Sequence, residues 1–204
     1  MTPLAAQASL DFALLRPGFA DPVRDAQRCY RALLDAMAHP ATIVTMPDGL
    51  PGAPPLGPVA AALALTLCDA DTPVWLDEAV AGAAGYLAFH CGAPRVSTPG
   101  EALFAFAGDP ATLPPLDSFA LGTAEFPERA TTLVIEVGAL TEGVGVLLRG
   151  PGIHGERRLD VAGLPPRLWA ERAALAELFP RGIDLVFAVG GALAAVPRST
   201  QVVL

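Results

Sequence analysis

Lysine is missing altogether. All thirteen basic residues of the 204-residue chain are arginine. Without a side-chain amine there is no Schiff-base aldol chemistry, no pyridoxal phosphate catalysis and no phosphate-loop motif G-x-x-x-x-G-K-[ST]. Arginine keeps recognition of phosphate or phosphonate open, because its planar fork suits two oxygens at once. Cysteine is nearly as scarce: Cys29, Cys68 and Cys91 make an odd set of three, which fits a reducing compartment better than a disulfide framework. A chain of this length buries roughly 70% of its unfolded surface and needs neither disulfide nor structural metal to fold. Basic charge is outweighed 21 to 13, for a net charge of -8, and such a surface repels nucleic-acid backbones. Long apolar runs are absent although 52% of the residues are hydrophobic. The nearest, Pro58 to Cys68, contains Thr66, is closed by Asp69 and falls well short of the ~20 residues that span a bilayer. No basic residue precedes a hydrophobic run in Met1 to Asp11, so a secretory signal is not expected. The expectation is a cytoplasmic protein with no membrane contact.

What is present alternates helical and extended patterns, with no internal repeat. Asp21-Pro22 sets up a helix, Asp as N-cap and Pro in the first turn, that carries Val23, Ala26, Tyr30, Leu33, Leu34 and Met37 at helical spacing and ends at His39-Pro40. Ala41 to Met46 reads as a strand, Val59 to Leu67 as a buried helix, Thr72 to Leu76 as a strand and Glu78 to Cys91 as another helix. Strands follow at Ala102 to Ala107, Thr131 to Val137, Val144 to Arg149, Ile183 to Val189 and Leu193 to Val196, with an amphipathic helix between Pro165 and Phe179. Pro110 to Phe126 reads as a long surface loop. The expected architecture is α/β: a single three-layer domain over residues 1–204 with a mixed sheet, residues 1–20 forming an N-terminal arm.

The motifs that could carry chemistry are few. Gly150-Pro151-Gly152-Ile153-His154-Gly155 matches G-x-G-x-x-G after an apolar strand, but Gly163-Leu164-Pro165-Pro166 follows too soon for the long helix that would hold a pyrophosphate. A tight structural turn is expected instead. His39, His90, His154 and the cysteines lack metal-ligand spacing, and no G-x-S-x-G elbow accompanies a serine. Neither a metal nor a cofactor is expected. Asp184 stands near the start of an apolar strand, where it needs a partner such as Arg181 or Arg198. Pro197-Arg198-Ser199-Thr200 puts a guanidinium beside two hydroxyls, suited to an anionic oxygen cluster or to a contact between subunits. The run Glu156-Arg157-Arg158 reads as a solvated hairpin end.

Several of these stretches resemble one family by their order and spacing across nearly the whole chain. They are Asp25-Ala26-Gln27 through Met37-Ala38-His39-Pro40, Asp71-Thr72-Pro73-Val74-Trp75-Leu76, Phe89-His90-Cys91-Gly92-Ala93-Pro94, Gly150-Pro151-Gly152-Ile153, and Phe179-Pro180-Arg181-Gly182-Ile183-Asp184 with Pro197-Arg198-Ser199-Thr200. The chain resembles the PhnH family of the bacterial carbon-phosphorus lyase system, which acts in phosphonate metabolism. The resemblance implies a homodimer whose fold is similar to the large domain of pyridoxal-phosphate-dependent transferases but lacks the cofactor lysine. It also implies partnership with the G, I and J subunits in an assembly that replaces the adenine of ATP with an alkylphosphonate, giving ribose 1-phosphonate 5-triphosphate. Cleavage of the carbon-phosphorus bond belongs to the J subunit. Motif positions falling on Asp184, Arg198, Thr200 and Gly152 are the candidates for a pocket or interface, with a phosphonate or nucleotide contact; catalytic residues are not assigned. The loop Pro47 to Pro58 and the Ala-rich helices depart from the family pattern, and Ser199 stands where Thr is common. The competing expectations are a free-standing transferase or hydrolase using Asp184 and a His, and a ligand-binding module without turnover.

Overall fold

The computed structural model describes residues 16–204; most of the expected N-terminal arm lies outside them. In chain order the elements are helix α1 (Pro22–Ala38), strand β1 (Val44–Thr45), helix α2 (Pro58–Leu67), strand β2 (Val74–Leu76), helix α3 (Ala84–His90) and strands β3 (Phe104–Ala107), β4 (Thr132–Glu136), β5 (Ala139–Arg149) and β6 (Arg157–Ala162). Helix α4 (Leu168–Leu175) follows, then strands β7 (Asp184–Val189), β8 (Ala192–Val196) and β9 (Gln201–Val203). Six strands form one mixed sheet in the order β1-β8-β7-β4-β3-β2, in which β2, β3, β4 and β7 run parallel and β8 turns back antiparallel. The other three form a small antiparallel sheet, β6-β5-β9.

Period-two alternation divides the strand residues between two cores. Phe106, Val134, Val186 and Ala188 point toward α1, α2 and α3. Their neighbours Ala105, Leu133, Ile135, Leu185 and Phe187 point the other way, against α4, the small sheet and the loop residues Leu113, Leu116 and Phe119. Strands apolar on both faces are what a parallel sheet covered on both sides requires, and each large side chain removed from water contributes roughly 1.5–3 kcal/mol. Helix α2 is buried all round from Val59 to Ala64. Its alanines allow close approach to the sheet and to α1.

The expected helix starts hold where caps are written into the sequence: the Asp21 carboxylate accepts the Arg24 N–H at 3.1 Å, with Pro22 in the first turn. Four expectations are corrected. The apolar spacing on α1 does not mark its buried face, because Cys29, Leu33 and Ala36 are buried whereas Val23, Tyr30 and Leu34 are exposed. Glu78 to Cys91 is not one helix: the Asp77 carboxylate accepts the Val80 N–H at 3.0 Å, a turn follows, and α3 starts only at Ala84. The strand expected over Ala41 to Met46 shrinks to two residues, after Ala41 takes a positive φ of 63°. Of the run expected as a solvated hairpin end, Glu156 and Arg158 are exposed beside the β5–β6 turn, but Arg157 is half-buried and reaches in to Thr42 Oγ1. Strand β9 has no counterpart in the expectations. The Pro110–Phe126 stretch is the expected loop, yet Leu113, Leu116 and Phe119 sink into the core.

Close packing around α2 leaves no room for larger side chains. Ala61→Leu is expected to lower stability by about 1–3 kcal/mol through overpacking, read as a lower urea midpoint; an unchanged midpoint would contradict this account of why the helix is alanine-rich.

Candidate functional site

Of the residues singled out in the sequence, Asp184, Arg198 and Thr200 gather about the Pro197–Thr200 turn, and Gly152 lies in the β5–β6 turn. Asp184 opens β7 and meets Arg198, which follows β8. Arg198 Nη2 lies 2.5 Å from Asp184 Oδ2, its Nε 3.2 Å from both carboxylate oxygens, and its backbone N–H donates to Oδ1 at 2.7 Å. Both side chains are largely buried, at 17% and 11% exposed, so the charges are compensated within the protein as burial demands. Arg198 also donates through Nη1 to the Pro127 carbonyl. The pair therefore ties the 121–130 loop to the start of the central sheet. Arg181, the alternative partner, is not used.

Thr200 is fully buried, and its backbone carbonyl accepts from Arg172 Nη2 at 2.9 Å while the Pro197 carbonyl accepts from the same nitrogen at 2.7 Å. Arg172 thus holds the turn by which the chain leaves the large sheet to form β9. It is only 1% exposed, and burial pulls its pKa below the usual guanidinium value, with Asp184 acting in the opposite direction. Arg172 Nε and Thr200 Oγ1 have no hydrogen-bond partner among the described residues. Arg172 was not singled out in the sequence. The signal was there, because it lies between Leu168 and Leu175 on the buried face of α4, where a charge needs an explanation.

Gly152 belongs to the β5–β6 turn, not to a dinucleotide site. Its φ is +80°, and a Cβ there would stand 2.1 Å from the Ala38 carbonyl oxygen and 2.8 Å from Pro40 Cδ. Glycine is required by the close approach of this turn to the end of α1.

A second group of polar residues gathers where parallel-sheet proteins place ligands, beyond the carboxyl ends of the strands. Asp77, after β2, accepts the Gly108 and Asp109 N–H groups at 2.9 and 3.0 Å. Glu136, the last residue of β4, accepts the Gly57 N–H at 2.6 Å. A cleft of about 80 Å³ between Gly57–Ala60, Glu136–Val137 and Ala188–Gly190 opens beside it. Burial raises the Glu136 pKa above the usual carboxylate range, the Gly57 hydrogen bond acting against this and Asp77 reinforcing it. The cleft has room for a few waters, and both carboxylates serve as acceptors for backbone at strand ends.

The thiols are poor nucleophiles at neutral pH. Burial pushes Cys68 and Cys29 up, and Cys91 up to about 11. His90 ends α3 and its Nε2 meets the Arg16 carbonyl at 2.9 Å. Among the described residues, no three His, Cys, Asp or Glu side chains are grouped to hold a metal ion, and no helix is long and apolar enough to cross a membrane.

These features define an α/β protein whose polar groups at the strand ends organise backbone, with no metal-ligand set grouped among its described residues. The family of bacterial phosphonate metabolism proteins, PhnH, matches residues 17–203, and the chain belongs to it. The Rhizobium meliloti (strain 1021) protein described as alpha-D-ribose 1-methylphosphonate 5-triphosphate synthase subunit PhnH is 45% identical over 188 residues, covering 90% of this chain and 92% of that protein. A Stutzerimonas stutzeri protein described as putative C-P lyase subunit protein HtxG is 39% identical over 82 residues, 40% of this chain and 42% of that protein.

Two outcomes follow from the site. Arg198→Ala leaves the Asp184 carboxylate buried without its cation and is expected to cost about 3–5 kcal/mol, measured by equilibrium unfolding; a loss under about 1 kcal/mol would contradict a buried pair. For Glu136 the raised pKa means that the folded protein binds the proton more tightly than the unfolded chain. Its contribution therefore worsens as pH rises from the usual carboxylate value of 4.5 through the folded pKa. Glu136→Gln is expected to stabilise the protein at neutral pH and to lose that advantage in acid; a pH-independent difference would rule this out.

Proposed function

We propose that this chain is an accessory, noncatalytic subunit of the carbon-phosphorus lyase core complex in organophosphonate catabolism. In this reading it supports formation of ribose 1-phosphonate 5-triphosphate from ATP and an alkylphosphonate. The carrying observation is the 45% identity over 92% of a protein whose own description is a synthase subunit, together with a family match over residues 17–203. At that identity and coverage, the role of the relative is the natural reading for this chain. The partners are the G, I and J subunits, and the chain works as a cytoplasmic homodimer, a single domain over residues 1–204.

The fold is read as similar to the large domain of pyridoxal-phosphate-dependent transferases. Helices over a mixed sheet with a parallel core support that likeness, and the absence of lysine means that the Schiff base of those enzymes cannot form. An enzyme working alone through Asp184 and a His is disfavoured by the ion pair itself, since both carboxylate oxygens are engaged by Arg198. A phosphonate or nucleotide contact, if made here, draws on arginine.

The test is coexpression of the tagged chain with the G, I and J subunits from the same genome, affinity capture and mass determination. Stoichiometric recovery of all three is expected, with phosphonate-dependent adenine release by the assembly. A lone dimer, or turnover by the isolated chain, would overturn the accessory-subunit reading.

A further inference from the structure

Helix α4 and the Pro-rich loop enclose a groove of about 350 Å³ lined by Pro115, Asp117, Leu121, Ala174, Leu175 and Leu178, with Glu171 at its wall. The loop is fastened on both sides. Glu171 Oε2 accepts the Leu116 N–H at 3.0 Å, Arg167 donates to both Glu171 oxygens at 2.8 and 2.9 Å, and Arg167 Nη2 reaches the Leu113 carbonyl. On the far side, Leu121 forms a bridge with Ala130 and its carbonyl accepts the Gly182 N–H at 2.9 Å, while Arg198 holds the Pro127 carbonyl. The groove is therefore preformed, and its occupant does not have to order a loop.

Its surroundings are apolar and acidic. Leu178 lines it, and Phe179, next in the chain, is 62% exposed. Asp117 lines the groove and Glu177 adjoins Leu178, while Glu125 and Glu128 lie farther along the loop that starts from Leu121; all four are exposed and make no ion pair among the described residues. Two exposed guanidiniums stand against them, Arg129, which lies over the Phe126 ring, and Arg181. Charges that ring an apolar centre select the partner and speed its arrival.

We infer that this groove is where the chain docks a different subunit of its assembly, through a segment of that subunit bearing apolar side chains flanked by Arg or Lys. This rests on the subunit reading above and adds the face and the chemistry of the contact. A second copy is the weaker match. It would bring a net charge of -8, and on its exposed apolar helix face, on α1, Arg24 and Arg28 already pair with Asp21 and Asp25, which leaves Arg31 as the one arginine of that helix outside an ion pair among the described residues. Joining α1 of one copy to the groove of another is also a heterologous contact, which does not close into a two-fold dimer.

The experiment repeats the coexpression capture with the full chain and three variants: Leu178→Asp with Phe179→Asp, Asp117→Lys, and Val23→Asp on α1 as the rival face. All substituted positions are exposed, and unfolding midpoints verify that each variant folds. The double variant is expected to weaken binding to the purified partner subunits at least about 30-fold, the loss of a central apolar anchor. Asp117→Lys is expected to weaken it about tenfold and to flatten its decline with added salt. Val23→Asp is expected to bind as the unmodified chain does. The groove assignment is overturned if the double variant binds its partners normally, if Val23→Asp alone abolishes capture, or if the double variant disrupts only self-association. No capture by the unmodified chain overturns the subunit reading itself and this assignment with it.

Discussion

Strands β4 and β7 are covered by helices on one face and by α4, the small sheet and a buried loop on the other, so their interior positions accept only apolar side chains. Polar groups are consequently displaced to the strand ends, where backbone donors and carbonyls run out of ladder partners. Asp184 stands at the entry to β7, Glu136 at the exit of β4 and Asp77 at the exit of β2. Each binds backbone N–H groups of a neighbouring segment. The constraint that builds the two cores also decides where the charges go, and those charges in turn decide how the connecting loops lie.

Arginine does the equivalent work for carbonyls. Arg172 holds Pro197 and Thr200, Arg198 holds Pro127, Arg157 holds Pro40 and Arg167 holds Leu113. A guanidinium offers several donors in a fixed fork and can bind a carboxylate and a carbonyl together, which an ammonium does less well. In a chain rich in proline, where many backbone N–H groups are missing and loops cannot close their own ladders, such donors give irregular segments a defined path.

This construction bears on function. A protein whose conspicuous charged residues hold backbone presents a shaped surface, which accords with a subunit role in a larger assembly. The Asp184–Arg198 pair fixes the loop that forms one limb of the α4 groove.

How much of this was legible in the sequence varied with how local the determining interaction was. The Asp21-Pro22 cap, the buried Ala-rich helix, the apolar strands and the demand of Asp184 for an arginine follow from neighbouring residues and from the cost of burying charge. So does the exclusion of lysine chemistry. The phase of α1 was not legible, because Val23, Tyr30 and Leu34 satisfy helical spacing as well as Cys29, Leu33 and Ala36 do, and only packing against α2 and β8 selects between them. Nor was β9, three residues that become a strand because β5 offers Leu147–Arg149 as partners. The choice of Arg198 over Arg181, the need for glycine at 152 against the end of α1, and the clamp made by Arg172 depend on segments distant in the chain. Local pattern determined which elements form and which residues require partners; the tertiary structure alone decided which partners they meet, because burial and hydrogen bonding act through space and are blind to separation along the chain.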